Sequence, residues 1–146
     1  DMYPDAKFIH IARDPRKLYP STMKLWKSLE AVQGLQRPTD PQRLSEFVLR
    51  SLESMYRSFE AGRRDLPESQ IIDVRYEELV ANPVEVIGRI YRQLNIGDFE
   101  SVRGALMARS DSEKEYQTNR FGLEPEIEEL VMSRWSSYAE RYGYKA

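Results

Sequence analysis

The sequence predicts an α/β fold that is rich in helices and contributes two strands to a parallel sheet. Two short runs contain several β-branched residues, and each is followed by segments with helical periodicity. The resulting order of strand, helices, strand, helices is typical of proteins with a parallel sheet. Two strands cannot complete a sheet of this kind, so we expect the missing strands upstream of Asp1 or from a partner.

The first strand is predicted over Lys7–Ala12, a mostly apolar run typical of a buried parallel strand. Asp14 is a suitable N-cap, and Pro15 fits the first helical position, where its missing N–H costs nothing. We therefore expect a tight turn and a helix to about Val32. Pro20 removes one backbone hydrogen bond inside this helix, which predicts a kink or a restart there.

A second helix is predicted from the Asp40–Pro41 pair to about Gly62. It carries acidic and basic side chains spaced one helical turn apart in the favourable order, which stabilises a helix modestly. The three pairs are Glu46/Arg50, Glu53/Arg57 and Glu60/Arg64.

The rest of the chain repeats the alternation. A second strand is predicted over Gln70–Arg75, and the Asn82–Pro83 pair marks the start of an amphipathic helix. Further helices are expected over about Phe99–Ala108 and Pro125–Tyr142. Between these two helices, Arg109–Leu123 is polar and without clear periodicity, which favours a loop, the kind of segment that often carries function.

Composition excludes several classes of function. The chain has 146 residues, which fits one domain, and a net charge of −2, which argues against nucleic-acid binding. It contains no Cys, so disulfides, thiolate nucleophiles and Cys-rich zinc sites are excluded, and its one His argues against a His-based metal site. We find no run approaching the ~20 apolar residues that span a bilayer and no signal segment, and we expect a cytoplasmic protein.

The most informative segment joins the first strand to the first helix. Arg13 lies where ligands bind in open α/β sheets, and its planar guanidinium suits a phosphate group. The following helix N-terminus adds backbone donors, and Ser21, two turns later, offers a hydroxyl donor. From spacing alone, an Arg-Asp-Pro run that only ends a strand and caps a helix remains an equal interpretation. His10, in the middle of the strand, is expected to be structural rather than a catalytic base.

The run Phe8-Ile-His-Ile-Ala-Arg-Asp-Pro-Arg-Lys-Leu-Tyr-Pro-Ser21 resembles a signature of sulfotransferases that use 3′-phosphoadenosine 5′-phosphosulfate (PAPS), in particular bacterial members related to carbohydrate and protein-tyrosine sulfotransferases. The resemblance implies that Arg13 and Ser21 bind the 3′-phosphate of PAPS. It also implies a P-loop-like parallel-sheet fold, of which this chain is the C-terminal part.

Two further segments resemble the same family. Val74-Arg-Tyr-Glu-Glu-Leu-Val-Ala-Asn-Pro83 is similar to a strand-then-Tyr-Glu-Asp-Leu segment, which implies that Tyr76 contacts the nucleotide; a tyrosine packed at a strand end is the alternative. Tyr116-Gln-Thr-Asn-Arg-Phe121 resembles a loop that closes over the phosphate end of PAPS, which implies contacts from Asn119 and Arg120. Gln117 stands where a basic residue is expected, and solvated loop residues are the alternative here.

The resemblance implies transfer of a sulfuryl group from PAPS to a hydroxyl or amine of an unidentified acceptor, without a metal. The family's Gly-rich loop for the 5′-phosphosulfate is absent from this sequence and is expected upstream, as is the acceptor-activating base. We therefore expect one sulfotransferase domain whose C-terminal part is residues 1–146, inactive alone and with no catalytic residue of its own. The competing hypothesis is a non-catalytic helical module that binds a protein partner.

Overall fold

The computed structural model describes residues 3–34, 39–112 and 122–144. The chain forms two compact units. The first contains the N-terminal segment as far as Arg13 and the chain from Gly62 through the middle of the sequence. The second contains Asp14–Ala61 and the C-terminal helices.

The first unit is built on two parallel strands, β1 (Phe8–Ala12) and β2 (Ile71–Arg75). Their register places Phe8 opposite Ile71 and Ala12 opposite Arg75, so both strands end at the same edge. The predicted parallel pairing is confirmed, with each strand starting one residue later than expected.

Three helices complete the first unit, after a short 3-10 turn at Arg63–Asp65: α3 (Tyr76–Ala81), α4 (Pro83–Leu94) and α5 (Glu100–Ser112). The amphipathic face of α4 packs on β2, and α5 extends four residues beyond the predicted end into the expected loop. The core of the unit is a cluster of buried aliphatic side chains with Leu79 packed against it: Ile72, Val74, Val86, Ile90 and Leu94.

β1 is less buried than its apolar sequence predicts. The side chains of Phe8, Ile9 and Ile11 are 46%, 48% and 50% exposed, whereas Ile72 and Val74 on β2 are almost completely buried. The difference arises because α4 covers β2, while β1 has β2 as its one strand neighbour in the described part of the chain.

The second unit is helical. It contains α1 (Pro15–Gln33), α2 (Pro41–Gly62), α6 (Pro125–Arg134) and α7 (Ser136–Arg141). The bounds predicted for α2 are confirmed. Of the kink or restart predicted at Pro20, the restart is wrong, because α1 continues through Pro20 as one helix. Proline's fixed φ is compatible with the helix, and the other hydrogen bonds of α1 compensate for the missing one.

The single C-terminal helix predicted over Pro125–Tyr142 is also wrong, because Trp135 separates α6 from α7. Trp135 has φ −103° and ψ 25°, and its side chain is 2% exposed. The indole Nε1 donates a hydrogen bond to the backbone carbonyl of Leu49 on α2, at 3.1 Å. Burial and this bond hold the tryptophan against α2, and the helix breaks at that position.

Candidate functional site

Arg13 and Tyr76 come directly after the two parallel strands. Since Ala12 lies opposite Arg75, the next residue of each strand extends the same register. The carboxyl edge of a parallel sheet is where α/β proteins bind ligands. The structure therefore brings together two of the residues that the sequence singled out, and does so through strand pairing alone.

The guanidinium of Arg13 stacks on the ring of Tyr76. Its central carbon lies 4.6 Å from the ring centroid, within the range of a cation–π interaction. The Nε atom of Arg13 is buried. The tyrosine face thus orients the guanidinium, which supports a role for Tyr76 in positioning Arg13.

The start of α1 follows Arg13 directly. As predicted, Asp14 caps the helix: its carboxylate accepts a hydrogen bond of 2.9 Å from the backbone N–H of Arg16. The side chain of Arg16 is held by two carboxylates of the second unit, at 2.7 Å from Glu128 and 3.3 Å from Asp14. Arg16 therefore stabilises this unit through ion pairs, whereas Arg13 makes a cation–π contact with Tyr76.

The other predicted site residues are placed separately. Ser21 lies on α1 in the second unit and is partly exposed, and its hydroxyl makes no hydrogen bond to the residues that the structure describes. The neighbouring Thr22, by contrast, donates to the carbonyl of Leu18 at 2.9 Å. Asn119 and Arg120 lie outside the described residues.

His10 belongs to a network that the sequence did not predict. Its Nδ1 lies 2.9 Å from a carboxylate oxygen of Asp73, directly opposite on β2, and Arg63 donates two hydrogen bonds of 2.9 and 2.8 Å to the same carboxylate. Burial raises the pKa of Asp73, but the hydrogen bonds from Arg63 and His10 outweigh it and hold that pKa below its usual range. The network explains a histidine in the middle of a strand.

Arg75 is a second arginine at the same edge, and sequence reasoning missed it. It is the last residue of β2, lies opposite Ala12, and its Nε is buried. The signal was present in the sequence, because Arg75 is a basic residue at the carboxyl end of a predicted strand, immediately before Tyr76.

Metal-binding and membrane-spanning features are absent from residues 3–34, 39–112 and 122–144. No group of three or more His, Cys, Asp or Glu side chains there is arranged to hold a metal ion. Within the same ranges, no helix combines the length and apolar character that a membrane span requires.

The chain belongs to the sulfotransferase family. The sequence model described as "Sulfotransferase family" matches residues 1–101, which confirms the family predicted from the motifs. Two curated relatives, each named Omega-hydroxy-beta-dihydromenaquinone-9 sulfotransferase Stf3, come from Mycobacterium bovis and Mycobacterium tuberculosis. Each is 36% identical to this chain over 144 residues, which is 99% of this chain and 37% of the relative. No solved structure shows significant similarity.

Proposed function

We propose that this chain is the part of a PAPS-dependent sulfotransferase that binds the 3′-phosphate of the donor. The observation that carries the proposal is the guanidinium of Arg13 stacked on Tyr76 at the carboxyl edge of two parallel strands. Membership in the sulfotransferase family supports the reaction class. The donor binding and the division of the site between this chain and the rest of the protein are our inference.

Arg13 is the main phosphate ligand in this scheme. A guanidinium donates two parallel hydrogen bonds to phosphate oxygens, and such charge-assisted bonds are about twice as strong as neutral ones. By resemblance, the hydroxyl of Ser21 is a second ligand and Tyr76 contacts the nucleotide. The contacts of Asn119 and Arg120 with the phosphate end stay predictions from the motif. By holding the 3′-phosphate, these groups position the donor and discriminate against nucleotides without that phosphate.

The acceptor is proposed to be a hydroxyl group. The named relatives act, by their names, on an omega-hydroxy compound, and this favours a hydroxyl over an amine. PAPS supplies an activated sulfuryl group that passes to the acceptor oxygen, with adenosine 3′,5′-bisphosphate as the other product. The residues of this chain act by binding and orientation, because the 5′-phosphosulfate loop and the base are proposed to lie in the rest of the protein.

The exposure of β1 supports a longer, P-loop-like sheet. Phe8, Ile9 and Ile11 leave about half of their side-chain surface open, yet strands of parallel sheets are normally covered on both faces. The chain spans 37% of the length of the curated relatives. We propose that upstream strands of the same polypeptide complete the sheet beside β1.

The proposal is tested by measuring nucleotide affinity in the full-length protein. Arg13→Ala removes two hydrogen bonds to a charged group worth about 1.5–3 kcal/mol each, so the affinity for adenosine 3′,5′-bisphosphate should fall by roughly two to four orders of magnitude. Ser21→Ala should cost less, since it removes a neutral donor. The two effects should not add, because both side chains are assigned to one phosphate.

Two controls separate this role from a structural one. Adenosine 5′-phosphate lacks the 3′-phosphate, so its weak affinity should hardly change in Arg13→Ala. Arg103→Ala removes an arginine that pairs with Glu100 on the surface of α5, and it should leave the affinity for both nucleotides intact. Equal losses for the two nucleotides in Arg13→Ala would withdraw the 3′-phosphate assignment.

The division of the site predicts that residues 1–146 alone do not transfer sulfate from PAPS. A turnover assay on the isolated chain checks this. Measurable sulfation would mean that the chain contains the complete catalytic machinery and would overturn the proposal that the phosphosulfate loop lies elsewhere.

A further inference from the structure

The second unit contains a cavity of about 440 Å³ between α2 and the two C-terminal helices. This volume is in the range of small-molecule sites, which are typically about 300–1,000 Å³. Tyr56 and Arg57 line it from α2, and Trp135 and Tyr138 line it from the opposite side. None of these residues belongs to the proposed nucleotide site.

One wall of the cavity is aromatic and firmly held. The rings of Tyr56 and Tyr138 meet edge to face, with centroids 4.5 Å apart and an interplanar angle of 73°. Trp135 is 2% exposed and is fixed by its hydrogen bond to Leu49. Trp135 and Tyr138, at 2% and 6% exposed, leave almost no free surface, so the half-buried ring of Tyr56 is the aromatic surface that a ligand can reach. Its contact with Tyr138 holds that ring in place, so a planar ligand ring packs against it at little entropic cost.

The carboxylates at the cavity are already neutralised. Glu53 accepts hydrogen bonds of 2.6 and 3.2 Å from Arg134 on α6. Glu60 lies 3.0 Å from the guanidinium of Arg141 on α7. Both carboxylates are therefore engaged by the C-terminal helices rather than by the next turn of α2.

Arg57 consequently lacks the partner that its sequence position predicts. Its one-turn neighbour Glu53 is taken by Arg134, and Arg57 forms no ion pair with the residues that the structure describes. Three arginines and two glutamates line the cavity, and Arg134 also pairs with Glu46 outside it at 3.0 Å, so the charges of the cluster balance. Arg57 is the lining arginine that no carboxylate of the described residues engages, and its exposed guanidinium lies at the cavity beside Tyr56.

We propose that this cavity binds a small aromatic anion, such as an aromatic carboxylate or an aryl sulfate. The ring packs against Tyr56, which Tyr138 holds in place, and the anionic group pairs with Arg57. A guanidinium matches the planar, two-oxygen geometry of either group. The proposal is independent of donor binding at Arg13.

The test is a fluorine NMR titration of the full-length protein with three probes of similar size: 4-fluorobenzoate, 4-fluorophenyl sulfate and uncharged 4-fluorobenzamide. We expect both anions to bind with millimolar or tighter affinity and the amide to bind more weakly. The anion that binds more tightly identifies the preferred group. Arg57→Gln should weaken anion binding about fivefold or more and leave the amide unchanged.

Arg50→Gln is the matched control, because Arg50 is an exposed arginine on the same helix that does not line the cavity. It should bind both anions as the wild type does. A second variant, Tyr56→Leu, should weaken all three probes by removing part of the aromatic wall. Absence of anion binding, equal binding of the amide, or equal effects of the Arg57 and Arg50 variants would overturn the proposal, whereas bisphosphate affinity should be unaffected throughout.

Discussion

The guanidinium carbon of Arg13 lies 4.6 Å from the centre of the Tyr76 ring, at the edge where β1 and β2 both end. Each residue follows its own strand by one position, so the contact depends on the register of the parallel pair. A slip of one residue would turn one of the two side chains to the other face of the sheet. The orientation of Arg13 is thus a property of strand pairing.

The first prediction concerns Tyr76. Tyr76→Leu removes the aromatic face under Arg13, and a cation–π interaction of about 0.5–2 kcal/mol corresponds to roughly two- to thirtyfold in affinity. Calorimetric titration of the full-length protein with adenosine 3′,5′-bisphosphate should show a loss in this range. Tyr76→Phe keeps the face and should bind nearly as well as the wild type. If Phe costs as much as Leu, the hydroxyl matters rather than the stacking on Arg13.

The second prediction concerns the pH dependence of the Asp73 network. The pKa of Asp73 is lowered in the folded protein, so its contribution to stability is complete above its unfolded pKa, which is about 4. It is lost as the pH falls through the lower folded value. Asp73→Asn should therefore reduce the free energy of unfolding by about 1–3 kcal/mol at pH 7, and the difference should shrink below pH 4.

Urea unfolding of the wild type and of Asp73→Asn at pH 7 and at pH 3 measures this difference. A gap of the same size at both pH values would contradict an ionised Asp73 as its source. Asp65→Asn, a surface carboxylate in the neighbouring 3-10 turn, serves as the control and should change stability little at either pH.

The third prediction compares two residues that precede helical prolines. The carboxylate of Asp40 accepts hydrogen bonds from the backbone N–H groups of Gln42 and Arg43, at 3.0 and 3.2 Å. Asp40→Ala should therefore cost about 0.5–2 kcal/mol of unfolding free energy. The side chain of Asn82 makes no capping hydrogen bond, so Asn82→Ala should cost only a few tenths. Thermal or urea unfolding distinguishes the two, and equal losses would contradict the capping assignment.

The fourth prediction concerns the break between α6 and α7. Trp135→Phe keeps a buried ring but loses the hydrogen bond to the Leu49 carbonyl, which should cost about 1–2 kcal/mol in unfolding free energy. Trp26 is the matched control, because it is 37% exposed and its ring contacts Phe47 at the surface. Trp26→Phe should change stability by less than about 0.5 kcal/mol. An equally small effect at Trp135 would mean that the indole N–H does not hold the break.

Local chemistry made several elements predictable. The starts of α1 and α2 follow from an Asp cap next to Pro, and the start of α4 follows from Pro83, since capping and the fixed φ of proline act within one turn of the chain. The strand-then-Arg13 and strand-then-Tyr76 patterns are local as well, and they are sufficient to predict the family. Family membership needed only short motifs in the right order.

The sequence did not predict which arginine pairs with Glu53. Glu53 and Arg57 have the spacing of a helical ion pair, but this spacing cannot show whether another arginine from a distant segment also reaches Glu53. Arg134 reaches Glu53 from a helix that is distant in sequence and displaces the local partner. The two hydrogen bonds from Arg134 to Glu53 outweigh an exposed helical pair, which is worth a few tenths of a kcal/mol. Arg57 therefore lines the cavity without an ion pair to the residues that the structure describes.

Residues within a few positions of one another were sufficient to predict the two strands, most helix starts, the family and the candidates Arg13, Ser21 and Tyr76. The folded structure was needed to find that Arg13 stacks on Tyr76, that His10 and Arg63 share the carboxylate of Asp73, and that Trp135 interrupts the last helix. These contacts depend on strand register, on burial and on which side chains from distant segments lie close together in the fold. Contacts between distant segments produce no periodic pattern in the sequence.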